Sequence, residues 1–232
     1  MAALYFIWKG VDSQVMNIRV LDRIQIVKPE ERIEHVTIPG RSGDLTLTEG
    51  ENVFQSYIQT VNISVNGLAN MRAAETWLSG AGTITFYNQP TLFQNARVIG
   101  AVTFEKHSRN MDAWTAEVQF YCEPVKHLIT EPTIDLDESG AEVVNPGDFA
   151  AKPLITIHGS GLVTVSIGTK TITIPEALDG MVIDCENEWV TVNGLPQMNA
   201  FSGQFPQIPT GESVVLFTGA TGVTIEPRWN YI

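Results

Sequence analysis

The stretch "TVNISVNG", Thr60 to Gly67, alternates without a break: Val61, Ile63 and Val65 are apolar, while Asn62, Ser64 and Asn66 are polar. In an extended chain successive side chains point to opposite faces, so the three apolar residues share one face. A helix would scatter them round its circumference. The run ends on Asn66-Gly67, a turn signal, and reads as a half-buried antiparallel strand.

The same period recurs along the chain, in "NIRVLDRIQIV", "TITFYN", "AEVQFYC", "LITIHG", "LVTVSIG", "KTITIP", "GMVIDC", "WVTVNG", "SVVLFTG" and "VTIEPRW". Short strands bounded by Gly, Pro, Asn and Asp fit sandwiches or barrels and not βαβ units. "LVTVSIGTKTITIP" reads as a hairpin turning at Gly168-Thr169. One segment departs from this period. In "NMRAAETWLSGAG", Met71, Ala74 and Leu78 stand at helical spacing, with Asn70 as expected N-cap and glycine at the end. A single helix near 70–80 among strands implies that it packs on a sheet.

The texture changes at "EPTIDLDESGAEVVNPGDFAAKP", which is rich in acids, Pro and Gly before the strands resume at Leu154. A domain boundary is expected there, giving residues 1–130 with the helix and residues 131–232 as a β-sandwich. The length of 232 residues suits two such domains. The fold class is mainly β. With 44% hydrophobic and 17% charged residues the chain is expected to fold throughout.

Net charge is −12, from 14 basic and 26 acidic residues. That argues against gripping nucleic acid, which needs clustered Lys and Arg to displace counterions. It permits an acidic wall past which DNA moves without sticking. The N-terminus carries no recognisable secretion signal, no run is long enough for a membrane helix, and no membrane partner is expected. Cys122 and Cys185 lack metal or disulfide-scaffold spacing and read as small buried hydrophobes.

"GRSG", Gly40 to Gly43, lacks the Lys-Ser/Thr of a phosphate loop and precedes a strand pattern, "DLTL", not a helix. It also fails the nucleophile-elbow spacing, as does "HGSG" at His158 to Gly161. "DLDESG" imitates a calcium loop at Asp135, Asp137, Ser139 and Gly140, but Pro146 stands where the closing glutamate belongs. His35, His107, His127 and His158 form no ligand pair. No catalytic residue, metal or cofactor is therefore expected. Trp189 and Trp229, with Asn187, Arg228 and His158, could build a sugar-stacking surface, or the tryptophans could be sandwich core.

Several blocks in order resemble the distal tail proteins (Dit) of long-tailed bacteriophages. "YFIWKGVDSQVMNIRVL", "VTIPGRSGDL", the F-x-x-Y of Phe54 and Tyr57, and "VQFYCEP" are similar to the family's N-terminal half. "NPGDFAAKPLITIHGSG", "MVIDCENEWVTVNG" and "FPQIPTGESVVLFTG" are similar to its C-terminal, galectin-like sandwich. The length matches the short form, without inserted carbohydrate-binding modules. The resemblance implies a non-enzymatic structural adaptor of the virion, assembled in the host bacterial cytoplasm. Residues 1–130 would form a β-sandwich with one helix, six copies of which would close a ring that joins the tail tube protein to the tip, hub or receptor-binding protein, with DNA passing transiently through its channel. The alternative is a lectin-like module that binds bacterial surface carbohydrate through Trp189 or Trp229. In the ring reading, Arg41 and Asp44 of "VTIPGRSGDLTL" are expected to make contacts between subunits.

Overall fold

A computed structural model of the chain describes residues 4–48, 50, 52–109, 111–197 and 201–232. The chain divides into two units, one of residues up to Lys126 together with Ile232, the other His127–Tyr231.

The first unit runs β1 (Phe6–Trp8), β2 (Val11–Asp12), β3 (Ile18–Val20), β4 (Ile33–Val36), β5 (Leu45–Thr48), β6 (Tyr57–Asn66), α1 (Leu68–Trp77), β7 (Ala81–Phe86), β8 (Leu92–Ile99), β9 (Glu105–Ser108) and β10 (Met111–Leu128). Eight of these strands form one sheet in the order β2-β1-β7-β8-β10-β6-β3, with β9 on β10. The quoted strand is the heart of β6, and Val61, Ile63 and Val65 are all buried. β7 and β8 separate β1 from β10, so in a flat sheet these would lie roughly 14 Å apart at the usual strand spacing. Yet the rings of Phe6 and Trp8 on β1 come within 5.6 and 5.2 Å of Phe120 on β10. The sheet must therefore curl until its halves face each other across one core, as the layers of a sandwich do.

Helix α1 lies against this core through Ala74 and Leu78, both buried, and Trp77 stacks on Phe6 at 5.7 Å. Its start differs from the sequence expectation. The N-cap is Gly67, at φ 90°, and Asn70 lies inside the first turn, donating its Nδ2 to the Asn66 carbonyl at 2.8 Å. The first free amide, Leu68 N, donates to Asp112 Oδ2 at 3.2 Å, and Gly67 N donates to the Asp112 carbonyl. The cap comes from a neighbouring strand. A second difference is "NIRVLDRIQIV": only Ile18–Val20 is strand. After Leu21 N donates to the Asn62 carbonyl the chain leaves the sheet. Ile24 still plugs the core while Leu21 and Ile26 face outward, so the alternation reflects a looping chain.

The second unit holds β11 (Ile134–Leu136), β12 (Ala141–Asn145), β13 (Leu154–His158), β14 (Gly161–Ile167), β15 (Lys170–Ala177), β16 (Val182–Asp184), β17 (Trp189–Val192), β18 (Leu195–Pro196), β19 (Ser202–Gly203), β20 (Gly211–Thr218) and β21 (Gly222–Glu226). A six-stranded sheet, β11-β21-β13-β16-β17-β18, packs on a five-stranded one, β12-β20-β14-β15-β19. Ile155, Ile157, Ile183 and Ile225 of the first meet Val163, Val165, Ile172 and Val215 of the second in one core. The hairpin β14–β15 pairs Ile167 with Lys170, so Gly168 and Thr169 are its turn, and Gly168 takes the positive φ that such two-residue turns require.

Candidate functional site

Two surfaces stand out, an arm on the first unit and one face of the six-stranded sheet on the second.

The arm is "VTIPGRSGDLTL" with its stem. β4 and β5 pair from Ile33↔Thr48 to Val36↔Leu45, and the stem continues through Arg32 N to the Val53 carbonyl and Gln55 N to the Glu30 carbonyl. At the tip, Arg41 N donates to the Ile38 carbonyl at 3.2 Å, with Pro39 second and Gly40, at φ 83°, third. That is a type II turn, in which glycine supplies the positive φ. Thr37 Oγ1 donates to Asp44 Oδ1 at 2.8 Å and closes the loop. Arg41 and Asp44 both lie exposed on this loop. Among the described residues strands β4 and β5 pair only with each other, and Ile33, Ile38, Leu45 and Leu47 are each 37–45% exposed. A two-stranded ribbon is marginal in water by itself.

On the second unit, registers place outward-facing residues in rows across the six-stranded sheet. Glu226 pairs with Leu154, Leu154 with Asp184, and Asp184 with Trp189. Trp189 is 40% exposed, whereas Asp184 is 6% exposed and heavily bonded. Asp184 Oδ1 accepts from the amides of Glu186 and Asn187 at 3.0 and 3.1 Å, and Oδ2 accepts from Asn187 Nδ2 at 2.9 Å. Arg228 Nη1 reaches Asp184 Oδ1 at 2.8 Å and Glu186 Oε2 at 3.5 Å. Burial alone would raise the Asp184 carboxyl; the hydrogen bonds from Arg228 and Asn187 outweigh it and hold the group at about 2. Arg228 itself sits at φ 57°, and the Glu131 carboxylate receives the amides of Arg228 and Trp229. Trp229 is 4% exposed and belongs to the sandwich core.

His158 lies on the same sheet at the other end of β13. Thr224 Oγ1 donates its one proton to Asp135 Oδ1 at 2.6 Å, so at 2.8 Å His158 Nε2 must be the donor to Thr224. The order carboxylate, hydroxyl, imidazole differs from that of a nucleophilic triad, where imidazole stands between the other two. The hydroxyl proton already lies in the bond to the carboxylate, and the imidazole, as donor, is not placed to take it. Ser139 of the calcium-like run spends its Oγ on the Phe217 amide at 2.9 Å. Among the described residues no three His, Cys, Asp or Glu converge as metal ligands, and no helix is long and apolar enough to cross a membrane. Cys122 and Cys185 are buried free thiols, and burial pushes each up to about 12. Sequence reading missed Asp184 and Glu131. Asp184 falls in a plain strand pattern and its Arg228 partner lies 44 residues away, while Glu131 meets amides 97 and 98 residues further on.

Two antiparallel β units, one a curled sheet with a helix against its core and an arm, the other a six-on-five sandwich, define a mainly β protein of two units. The chain shares this fold with a phage distal tail protein. It matches the structure described as "Crystal Structure of SPP1 Dit (gp 19.1) Protein, a Paradigm of Hub Adsorption Apparatus in Gram-positive Infecting Phages" with a TM-score of 0.77, over 97% of each chain, at 18% identity. No protein-family model matches the chain, and no curated protein sequence is significantly similar to it. The likeness to distal tail proteins read from the sequence blocks is thus met at the level of fold.

Proposed function

We propose that the chain is a distal tail protein of a long-tailed phage or related tail-like particle. Six copies close a ring at the end of the tail tube, and the ring carries the tip, hub or receptor-binding proteins while DNA passes through its channel. The protein acts through interfaces and catalyses nothing; its place is the virion, after assembly in the host bacterial cytoplasm. The observation that carries this reading is the match of both units, in order, over 97% of each chain.

The arm supports it. A closed ring needs a patch on one subunit that meets a different patch on the next. The arm's apolar residues Ile33, Ile38, Leu45 and Leu47 are 37–45% exposed, and a neighbour would cover what remains open. Arg41 and Asp44, at its tip, fix the contact by charge. Electron microscopy and native mass spectrometry of the purified protein test the reading: a six-fold ring of six times 25.5 kDa is expected. A protein that stays monomeric at high concentration overturns it. Arg41→Ala is expected to shift rings toward monomer, and normal assembly of that variant removes Arg41 from the interface.

A further inference from the structure

On the outer face of the first unit's sheet a groove of about 740 Å³ opens over β6 and β10. Registers explain its floor. Val61, Ile63 and Val65 turn into the core, so Asn62 turns outward with its partner Glu117, as do Thr115 and Gln119. One wall is Leu21 and Asp22, where the chain leaves the sheet after β3, and the other is residues 99–105. In that second wall Val102 and Phe104 pack on the core, which leaves Ala101, Thr103 and Glu105 to line the groove. Apolar and acidic groups therefore share one hollow: Leu21 and Ile99 stand with Asp22, Glu105 and Glu117, and among the described residues no cation lines it. Arg19 pairs with Ser64, one outward row along the sheet from Asn62 and Glu117. Two of the carboxylates are held in place, since Asp22 accepts from Asn62 Nδ2 and Glu117 from Gln119 Nε2, both at 2.9 Å.

The arm carries the matching chemistry. Its tip turn runs from Ile38, 38% exposed, to Arg41, while Asp44 is engaged by Thr37 Oγ1. No residue of the arm lines the groove, so the two are separate patches of one subunit, as a head-to-tail contact requires. A volume of that size holds a drug-sized body, and a four-residue turn is one. We propose that the groove receives the arm tip of the next copy, with Ile38 packed on Leu21 and Ile99 and with Arg41 entering among Asp22, Glu105 and Glu117. This contact, which rests on the ring reading above, is the second patch that a closed ring needs. Apolar burial supplies its affinity. Charge sets its register, because charged groups across an interface steer and discriminate more than they bind.

The test sets two full-chain variants beside each other. Arg41→Glu turns the tip against the groove's own carboxylates, and Glu105→Lys with Glu117→Lys turns the groove against Arg41. Each variant alone is expected to need about a hundredfold more protein than the wild type to form rings, as like charges brought together do. Mixed in equal amounts they should assemble near the wild-type concentration, because each variant's tip then meets the other's groove. Native mass spectrometry with one variant isotopically labelled should find rings holding half of each. Unchanged urea midpoints separate lost assembly from lost folding. A groove variant that forms rings alone as the wild type does, or a mixture that assembles no better than its parts, overturns the groove assignment and leaves the ring standing. Wild-type protein that forms no ring overturns both.

Discussion

A carboxyl as enclosed as Asp184 would ordinarily hold its proton more tightly than in water, because burial disfavours charge. Its partners reverse this, and the folded group sits at about 2 against an ordinary 3.8. The folded state therefore prefers the ionised form. The resulting stabilisation, about 2.5 kcal/mol for a shift of that size, is complete above roughly pH 4 and lost as pH falls toward 2. In Arg228→Ala the Asp184 charge keeps only its amide and Asn187 bonds. That variant should lose about 3 kcal/mol at neutral pH, as a stranded buried charge does, and its stability should fall less steeply between pH 4 and 2. Urea titrations of both proteins across that range check the magnitude and the slope together. The two thiols give a simpler expectation. With both held at about 12 by burial, neither Cys122 nor Cys185 should react with a thiol reagent at pH 8 until the chain unfolds.

Strand periodicity was legible wherever the covering layer comes from the same chain, as β6 and the β14–β15 hairpin show. The cap of α1 was not, because Asp112 lies 44 residues from the amide it accepts. Local pattern suggests Asn70 only because Asn is a common N-cap. Substitution separates the two: Asp112→Ala should cost about 1 kcal/mol, the usual value of a cap, and Asn70→Ala distinctly less, since its side chain satisfies none of the helix's free amides. The arm was legible as a hairpin, but the exposure of its apolar residues was not. Leu45 and Leu47 alternate with threonines as any half-buried strand would, and sequence cannot tell whether the cover lies in the same chain. The junction between β20 and β21 was equally hidden. A Cβ on Gly219, at φ 79°, would stand 1.9 Å from the Leu162 carbonyl oxygen, so the backbone must move. Gly219→Ala is expected to cost more than about 3 kcal/mol, read as a lowered urea midpoint or loss of soluble protein.

At the scale of the whole chain, the net charge proves unevenly divided. Residues 1–126 carry 11 basic and 13 acidic residues, a formal −2, and residues 127–232 carry 3 and 13, a formal −10. The acidic wall inferred from total charge therefore cannot be assigned to a ring built from the first unit. DNA passage in that reading rests on the scarcity of clustered cations more than on repulsion. The same division bears on assembly. If first units make the ring through the arm's apolar residues, their nearly neutral surfaces neither attract nor repel strongly, and salt has little to screen. The six-fold species should then persist from about 0.05 M to about 1 M sodium chloride, measured by mass photometry at fixed protein concentration, with at most a small gain as apolar burial strengthens. Tighter assembly by orders of magnitude at high salt would mean that the acidic second units crowd one another in the ring. Dissociation at high salt would mean that ion pairs such as those open to Arg41 and Asp44, and not the apolar ribbon, hold neighbours together.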